Sequence, residues 1–347
     1  MVHPGAANMM EAVVDLLNIQ LDAVTSAGAG LLKRKPHPPV RRMAGIMARR
    51  RLRAATAWRV SRLTVPSPLP AVTRPPTDAP DVRSRPSKGD TARFTRPPAH
   101  PVGPPPHALL AGPVPAHVAV VMDGNGRWAI QRRLPRPEGH RVGRNVTYEI
   151  VHGALELGVR HLTLYAFSTG NWRRDPEEVQ TIFELFLDGL CARPFEDLDV
   201  RLRWAGTPGE LAGELVEEMR HQETVTRDRT GLTLTYCVNY GGREEITRAA
   251  AALAATVRTD GRDVSTLTQA DLSRFLIRPD MPDVDLLWRP GAEQRISDFL
   301  LWQSAYAELH FTTKLWPDVD RRDLWAALET YQQRRRRFGA TTEELSR

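Results

Sequence analysis

Asp123-Gly124-Asn125-Gly126-Arg127-Trp128 follows directly on an apolar run, HVAVVM at residues 117–122. These residue types suit the binding of a diphosphate together with magnesium. Two glycines let the backbone approach an anion closely. A helix starting at this point offers free N–H groups and the positive end of its dipole. Arg127 can donate paired hydrogen bonds to phosphate oxygens. Asp123 sets a carboxylate beside that cradle, where a divalent cation would bridge acid and phosphate.

Gly124, Gly126 and Ala129 also fit a dinucleotide-binding GxGxxA fingerprint. That motif requires an acidic residue at the end of the second strand to hold the ribose. The second strand here ends in Phe167-Ser168, and Glu149 lies in a helical stretch, so a nicotinamide dehydrogenase is the weaker reading. No GKS or GKT is present to form a Walker loop.

Three further clusters carry polar chemistry. Arg136, His140 and Arg144 crowd one loop and helix start beside Gly139 and Gly143, an arrangement that on its own is more often a solvated basic face. Ser168-Thr169-Gly170-Asn171-Trp172-Arg173-Arg174-Asp175 forms a polar turn that leads through Pro176 into a helix. Near the end of the chain, Arg289, Arg295 and Ser297 are donor types that hold a second diphosphate, and Glu308 is a second candidate metal carboxylate. Two anion sites imply two phosphorylated substrates. The alternative for Arg295 and Glu308 is an ordinary surface ion pair, which contributes little.

Apolar runs at 117–122, 161–167, 200–205, 232–238 and 284–288 read as strands, separated by helix-length segments near 140–157, 176–190, 209–228, 243–257 and 269–276. This alternation predicts an α/β fold with a mostly parallel central sheet flanked by helices, because each parallel crossover needs a dozen or more residues. Ligands in such sheets gather at the carboxyl ends of the strands, where the polar clusters fall.

The first third differs in texture. Nineteen of the 28 prolines lie between Pro4 and Pro115, and residues 1–112 carry 17 Lys or Arg against 6 Asp or Glu. That surplus of 11 exceeds the whole chain's +7, leaving the remainder acidic by 4. Residues 1–112 therefore read as a basic, largely disordered extension with a short amphipathic helix at 9–24, and residues 113–342 as the catalytic domain. Cys191 and Cys237 show no CxxC or Cys/His spacing, so neither a disulfide framework nor a zinc site is indicated. No apolar run approaches the ~20 residues that cross a bilayer, and no secretory leader is evident. The expected location is the cytoplasm, with membrane association through the basic tail or an apolar product.

Taken together, residues 117–129, Gly139-His140, 162–179, 239–246 and 289–311 resemble the cis-prenyltransferases, the undecaprenyl diphosphate synthase family, over roughly residues 115–340. The resemblance implies a single α/β domain that forms a homodimer, carries an apolar tunnel below the active site, and condenses isopentenyl diphosphate with an allylic diphosphate into a cis polyprenyl diphosphate with Mg2+. By position, Asp123 matches the magnesium-binding aspartate, and Gly124, Asn125, Gly126, Arg127, Trp128, Arg136 and His140 surround the allylic diphosphate. Ser168, Thr169, Gly170, Trp172 and Arg174 match a substrate-contacting loop, with Asn171 as the residue assigned to proton acceptance. Arg289, Arg295, Ile296 and Ser297 match the isopentenyl diphosphate site and Glu308 a magnesium ligand. Arg337-Phe338-Gly339 resembles the family's RxG element.

Gly170, Pro290, Ala292 and Asp298 depart from the family's usual residues, which opens an alternative of irregular, head-to-middle condensation. Small Ala166 leaves the tunnel open, whereas Leu232 is expected near its floor. An alternative from another class is a non-catalytic partner subunit or a tail-driven nucleic-acid binder. Retention of Asp123, Arg127, Arg289, Arg295 and Glu308 speaks against a scaffold, and no nucleic-acid partner is expected.

Overall fold

In the computed structural model the described residues are 94–334, so the expected helix at 9–24, most of the basic extension and Arg337-Phe338-Gly339 lie outside them. Six strands form one sheet, in spatial order β3-β4-β2-β1-β5-β6: β1 (His117–Val121), β2 (His161–Ser168), β3 (Val200–Ala205), β4 (Leu232–Tyr240), β5 (Leu286–Arg289) and β6 (Glu308–Phe311). Every pairing is parallel. A sheet covered on both faces needs apolar side chains pointing both ways. Hence every residue of HVAVV in β1 and of LLWR in β5 is buried.

Eight helices accompany the strands among the described residues: α1 (His107–Ala111), α2 (Asn125–Gln131), α3 (Arg136–Leu157), α4 (Pro176–Cys191), α5 (Gly213–Val225), α6 (Gly242–Asp260), α7 (Gln269–Ser273) and α8 (Arg321–Gln332). Alternate strand residues feed two cores. Val118, Val120, Leu162, Leu164, Leu234 and Trp288 share one with residues of α3, α4, α5 and α8. Ala119, Val121, Tyr165, Cys237 and Leu287 share the other with Tyr240, Phe299 and Leu300. Burial of side chains this size is worth roughly 1.5–3 kcal/mol each, which fixes the register of the strands and so the height of the residues at their ends.

The long crossover helices begin where the sequence places helix signals. Asp175 caps α4 by accepting hydrogen bonds from the backbone N–H groups of Glu177 (2.9 Å) and Glu178 (3.4 Å), with Pro176 in the first turn. Pro137 lies in the first turn of α3, which starts at Arg136, four residues before the expected 140. At the start of α8, Arg321, 1% exposed, donates to Glu149 and Glu156 of α3 and to the carbonyl of Pro98. That contact, with Thr95 N–H donating to Asp197 O at 2.8 Å, ties residues 94–98 to the domain.

Candidate active site

The site grows out of the β1–α2 turn. Gly124 adopts φ +106°, a conformation that L side chains rarely adopt, and turns the chain sharply so that Asp123 stands at the carboxyl end of the sheet. The carbonyl of Asp123 accepts from Trp316 N–H at 2.9 Å, which fixes its backbone. Helix α3 presses against this turn at Gly139, where a Cβ would lie 1.9 Å from the Asn125 carbonyl oxygen. Glycine alone permits that approach, so the sequence pattern Gly139-His140 has a packing cause as well as a chemical one.

Arginines from two directions meet at Asp123. Arg289 Nη2, from the end of β5, donates to its Oδ2 at 2.7 Å, and Arg127 Nη2, one turn along α2, lies 3.1 Å from Oδ1. Burial pushes the Asp123 carboxyl up, but the Arg289 hydrogen bond and charge, with Arg127 beside them, outweigh it and hold the group below the ordinary aspartate range. Arg289 also donates through Nη1 to Ser297 Oγ at 2.7 Å and to the carbonyl of Arg295. Its Nε is buried without a hydrogen-bond partner, as is Asn125 Oδ1.

A second cluster joins α3 to the start of α4. Glu178, 7% exposed, accepts from Arg136 Nε at 2.7 Å and from Arg174 Nη1 at 3.1 Å, and it lies 3.4 Å from His140 Nε2. The hydrogen bond to His140, followed by those cations and working against burial, holds Glu178 at about 2. Sequence reasoning passed over this residue. As the third residue of α4 after an Asp175 cap, it reads as a glutamate placed for the helix dipole, whereas the fold turns it toward α3.

Beneath these charges opens a cavity of about 320 Å³. Asp123, Gly124, Asn125, Gly126, Arg127, Arg136, His140, Ser168, Asn171, Arg174, Arg289 and Ser297 all line it, and Ala166, Ile182, Leu185, Phe186 and Leu190 line its apolar part. Charged mouth and apolar depth therefore come together as the two types of cluster require. Asn171 uses its amide oxygen to accept Ser168 N–H at 3.1 Å, closing a capping box that shapes the turn Thr169–Arg173. Its carbonyl is thus engaged and its NH2 group remains as a donor.

Other expected residues stand outside the cavity wall. Trp128 donates from Nε1 to Asp318 Oδ1 at 2.6 Å and carries Arg132 over its ring. Trp172 donates to Asn239 Oδ1 at 2.8 Å and packs on Phe167. Thr169 and Gly170 occupy the turn, Ile296 packs on the second core, and Arg295 pairs with Glu293, which also lies 3.5 Å from Arg127. Leu232 is fully buried and lines no part of this cavity; Tyr236, two steps further along the same face of β4, does.

Glu308 opens β6 opposite Leu286, which is itself opposite Val118 on β1. Asp123 is five residues beyond Val118, about 16 Å along the strands. Glu308 instead meets Arg334 Nη1 at 3.0 Å. Within one chain the two candidate metal carboxylates are therefore not brought together, and no cluster of three or more His, Cys, Asp or Glu that could hold a metal occurs among the described residues.

The departures in the last loop have structural readings. Asp298 Oδ1 accepts from Arg243 N–H at 2.9 Å, so it caps the start of α6 from 55 residues away, where a negative charge suits the dipole. Ala292 sits at φ +68°, a left-handed conformation that strains a residue with a Cβ. Nothing in the structure explains Pro290.

A prenyltransferase family, described as undecaprenyl diphosphate synthase, matches residues 121–339. The chain belongs to this family. It is 51% identical over 253 residues to the trans,polycis-polyprenyl diphosphate synthase ((2Z,6E)-farnesyl diphosphate specific) of Thermobifida fusca, covering 72% of this chain and 90% of that protein. It is 50% identical over 229 residues to decaprenyl diphosphate synthase of Mycobacterium tuberculosis, covering 65% and 77%. Among solved structures, lavandulyl diphosphate synthase from Lavandula x intermedia, in complex with dimethylallyl diphosphate, superimposes with a TM-score of 0.64 at 33% identity over 65% of this chain and 98% of the other. The prenyltransferase fold expected from the residues is thus present, and the dehydrogenase reading falls. No helix among the described residues is long and apolar enough to cross a membrane.

Proposed function

We propose that this prenyltransferase condenses isopentenyl diphosphate with an allylic diphosphate, forming a cis polyprenyl diphosphate, with Asp123 as the residue that holds magnesium against a diphosphate. The observation that carries the reading is the placement of Asp123 between Arg127 and Arg289 at the mouth of a cavity whose depth is apolar. A single carboxylate among cationic and amide donors fits Mg2+, which is held by one or two carboxylates together with substrate phosphates rather than by an all-protein cage. The unpartnered Arg289 Nε and Asn125 Oδ1 fit the same picture of a site built for polar guests. Magnesium bound there supplies positive charge against the departing diphosphate.

The protein's own residues do the rest. Arg127, Arg136, Arg174 and Arg289 take up the negative charge that grows as the allylic carbon–oxygen bond breaks, so the carbon becomes cation-like and the double bond of isopentenyl diphosphate attacks it. Ser297, oriented by Arg289, and Arg295 hold that second diphosphate. An amide is too weakly basic to take the proton that is then lost, and the Asn171 oxygen is already engaged. Its NH2 therefore orients the acceptor, a diphosphate oxygen. The apolar wall shelters a chain that grows by five carbons per cycle.

The assembly is a homodimer in which the β6 edge, with Tyr306 67% and Leu309 39% exposed, is covered by a second copy. The enzyme works in the cytoplasm and meets the membrane through its basic tail or its apolar product. Mass analysis of products from the purified chain given isopentenyl diphosphate and a panel of allylic primers tests the reading. A ladder spaced by one isoprene unit with cis double bonds supports it; a single branched product, or none with any primer, overturns it.

A further inference from the structure

Between α2 and α3 the chain makes a tight turn, with Leu134 N–H donating to Ala129 O at 2.9 Å and Arg133 N–H to Ile130 O at 3.0 Å. One residue past the C-cap Arg132, Arg133 adopts φ +58°, the left-handed conformation in which helices commonly end on glycine. An arginine there is strained, so its charge serves a purpose that folding alone does not supply. Arg133 is exposed and makes no ion pair among the described residues. Ile130 and Leu134, before and after it in the turn, are 58% and 42% exposed. Large apolar side chains left in water at two places in one turn gain from an apolar partner.

The charge around them has mainly one sign. Residues 130–141 contain Arg132, Arg133, Arg136 and Arg141 against the single acid Glu138, within a remainder of the chain that is acidic by 4. Arg132 lies over the Trp128 ring at 4.2 Å, and its side chain stays 41% exposed although it meets Asp318. The turn also joins two stretches that line the cavity, Gly126-Arg127 before it and Arg136 with His140 after it.

We infer that this turn, with Ile130 and Leu134 as apolar anchors and Arg132, Arg133 and Arg141 around them, is a docking surface for a bilayer of anionic phospholipid. Exposed apolar side chains flanked by arginines and a tryptophan suit the headgroup region, where the apolar groups enter the acyl boundary and the cations meet lipid phosphates. Nucleic acid would use the arginines alone, so the apolar pair favours lipid. The inference goes beyond the contact through tail or product proposed above, because it gives the folded domain its own hold on lipid, at a turn whose two ends line the cavity. A product with a long hydrocarbon part then leaves beside the phase that takes it up.

Sedimentation of full-length protein with phosphatidylcholine vesicles, with and without phosphatidylglycerol and in the absence of substrates, tests this. Wild type partitions onto the phosphatidylglycerol vesicles in preference. Ile130→Ser combined with Leu134→Ser lowers that partition about tenfold or more. Arg133→Gly removes the strain together with the charge, so partition falls about fivefold while Tm does not fall. In Ile130→Trp, the added indole, read as a difference from wild type, shifts its emission to the blue on the anionic vesicles and is quenched by lipid brominated in the acyl chain. None of these three residues lines the cavity and no turnover is read, so failure of the proposed condensation leaves the test intact. Wild-type partition by the Ile130/Leu134 double variant, whether the tail or the arginines as a general polyanion patch sustain it, would overturn the inference. Equal wild-type binding to both kinds of vesicle, or none to either, would overturn it as well.

Discussion

Asp123 and Glu178 are both carboxylates ringed by arginines that line one cavity, yet they are built differently. Glu178 is buried, bound by Arg136, Arg174 and His140, and held at about 2. Asp123 keeps a side chain 26% exposed and shares its two arginines with Ser297 and Glu293. A carboxylate saturated with cations inside the protein organises them; one left half open, among donors that have other partners, can exchange arginines for a metal and a phosphate. Under the proposed function, the difference separates a positioning residue from one that meets substrate.

Among the partners of the two carboxylates, the largest effect is expected at Arg289. Arg289→Ala removes the main contact that holds Asp123 low, so burial then dominates and the Asp123 carboxyl rises. The acid limb of the kcat/KM profile moves to higher pH, and kcat/KM itself falls by about 10²–10³, as for loss of one preorganised donor to developing charge. An unmoved acid limb would show that Asp123 is not governed by Arg289.

Glu178→Gln sharpens the other side. It frees Arg136 and Arg174 from their anchor, so KM for the allylic diphosphate rises about tenfold while kcat changes less, a loss of roughly 1.4 kcal/mol in binding. Stability falls too, by roughly 1–3 kcal/mol for lost charge-assisted hydrogen bonds. Because the folded-state value of Glu178 is depressed, its stabilisation is complete above the ordinary 4.5 and is lost as pH falls toward about 2. The Tm gap between wild type and variant is therefore wide near neutrality and narrows below pH 4.5. A gap independent of pH would assign the effect to packing.

The smallest effect lies in the loop that carries Arg295 and Ser297. Ala292→Gly removes left-handed strain worth about 1 kcal/mol, raising Tm by roughly 2–4 °C in thermal unfolding. A lower Tm would mean that the loop gains more from a stiffer backbone than it loses to strain.

Much of this was legible in the residues because the parallel sheet writes itself as uninterrupted apolar runs. HVAVV, HLTLYAF, VRLRWA and LTLTYCV all became strands within two residues of expectation, and the polar clusters at their ends converged as a strand-end site should. β6 escaped notice because it is a short edge strand, ELHF, with no fully buried residue to make a run. α2, expected as the helix that follows the Asp123 turn, is seven residues long and contains Gly126, too short for a periodic pattern to give its bounds. The long-range pairings were invisible for another reason. That Trp128 would turn to Asp318, Glu308 to Arg334 and Glu178 to Arg136 depends on how crossovers pack, not on local sequence. Arg295 and Glu308, whose alternative was an ordinary ion pair, form such pairs in the single chain.

The most direct test of Asp123 as the residue where metal and diphosphate meet is incorporation of radiolabelled isopentenyl diphosphate into farnesyl diphosphate, wild type beside Asp123→Ala. Both proteins should unfold at similar temperatures. Magnesium-dependent incorporation by wild type, lowered about a thousandfold or more in the variant, is the expected result, corresponding to several kcal/mol of charge stabilisation. Equal incorporation by the two proteins, with the same response to a chelator, would contradict it.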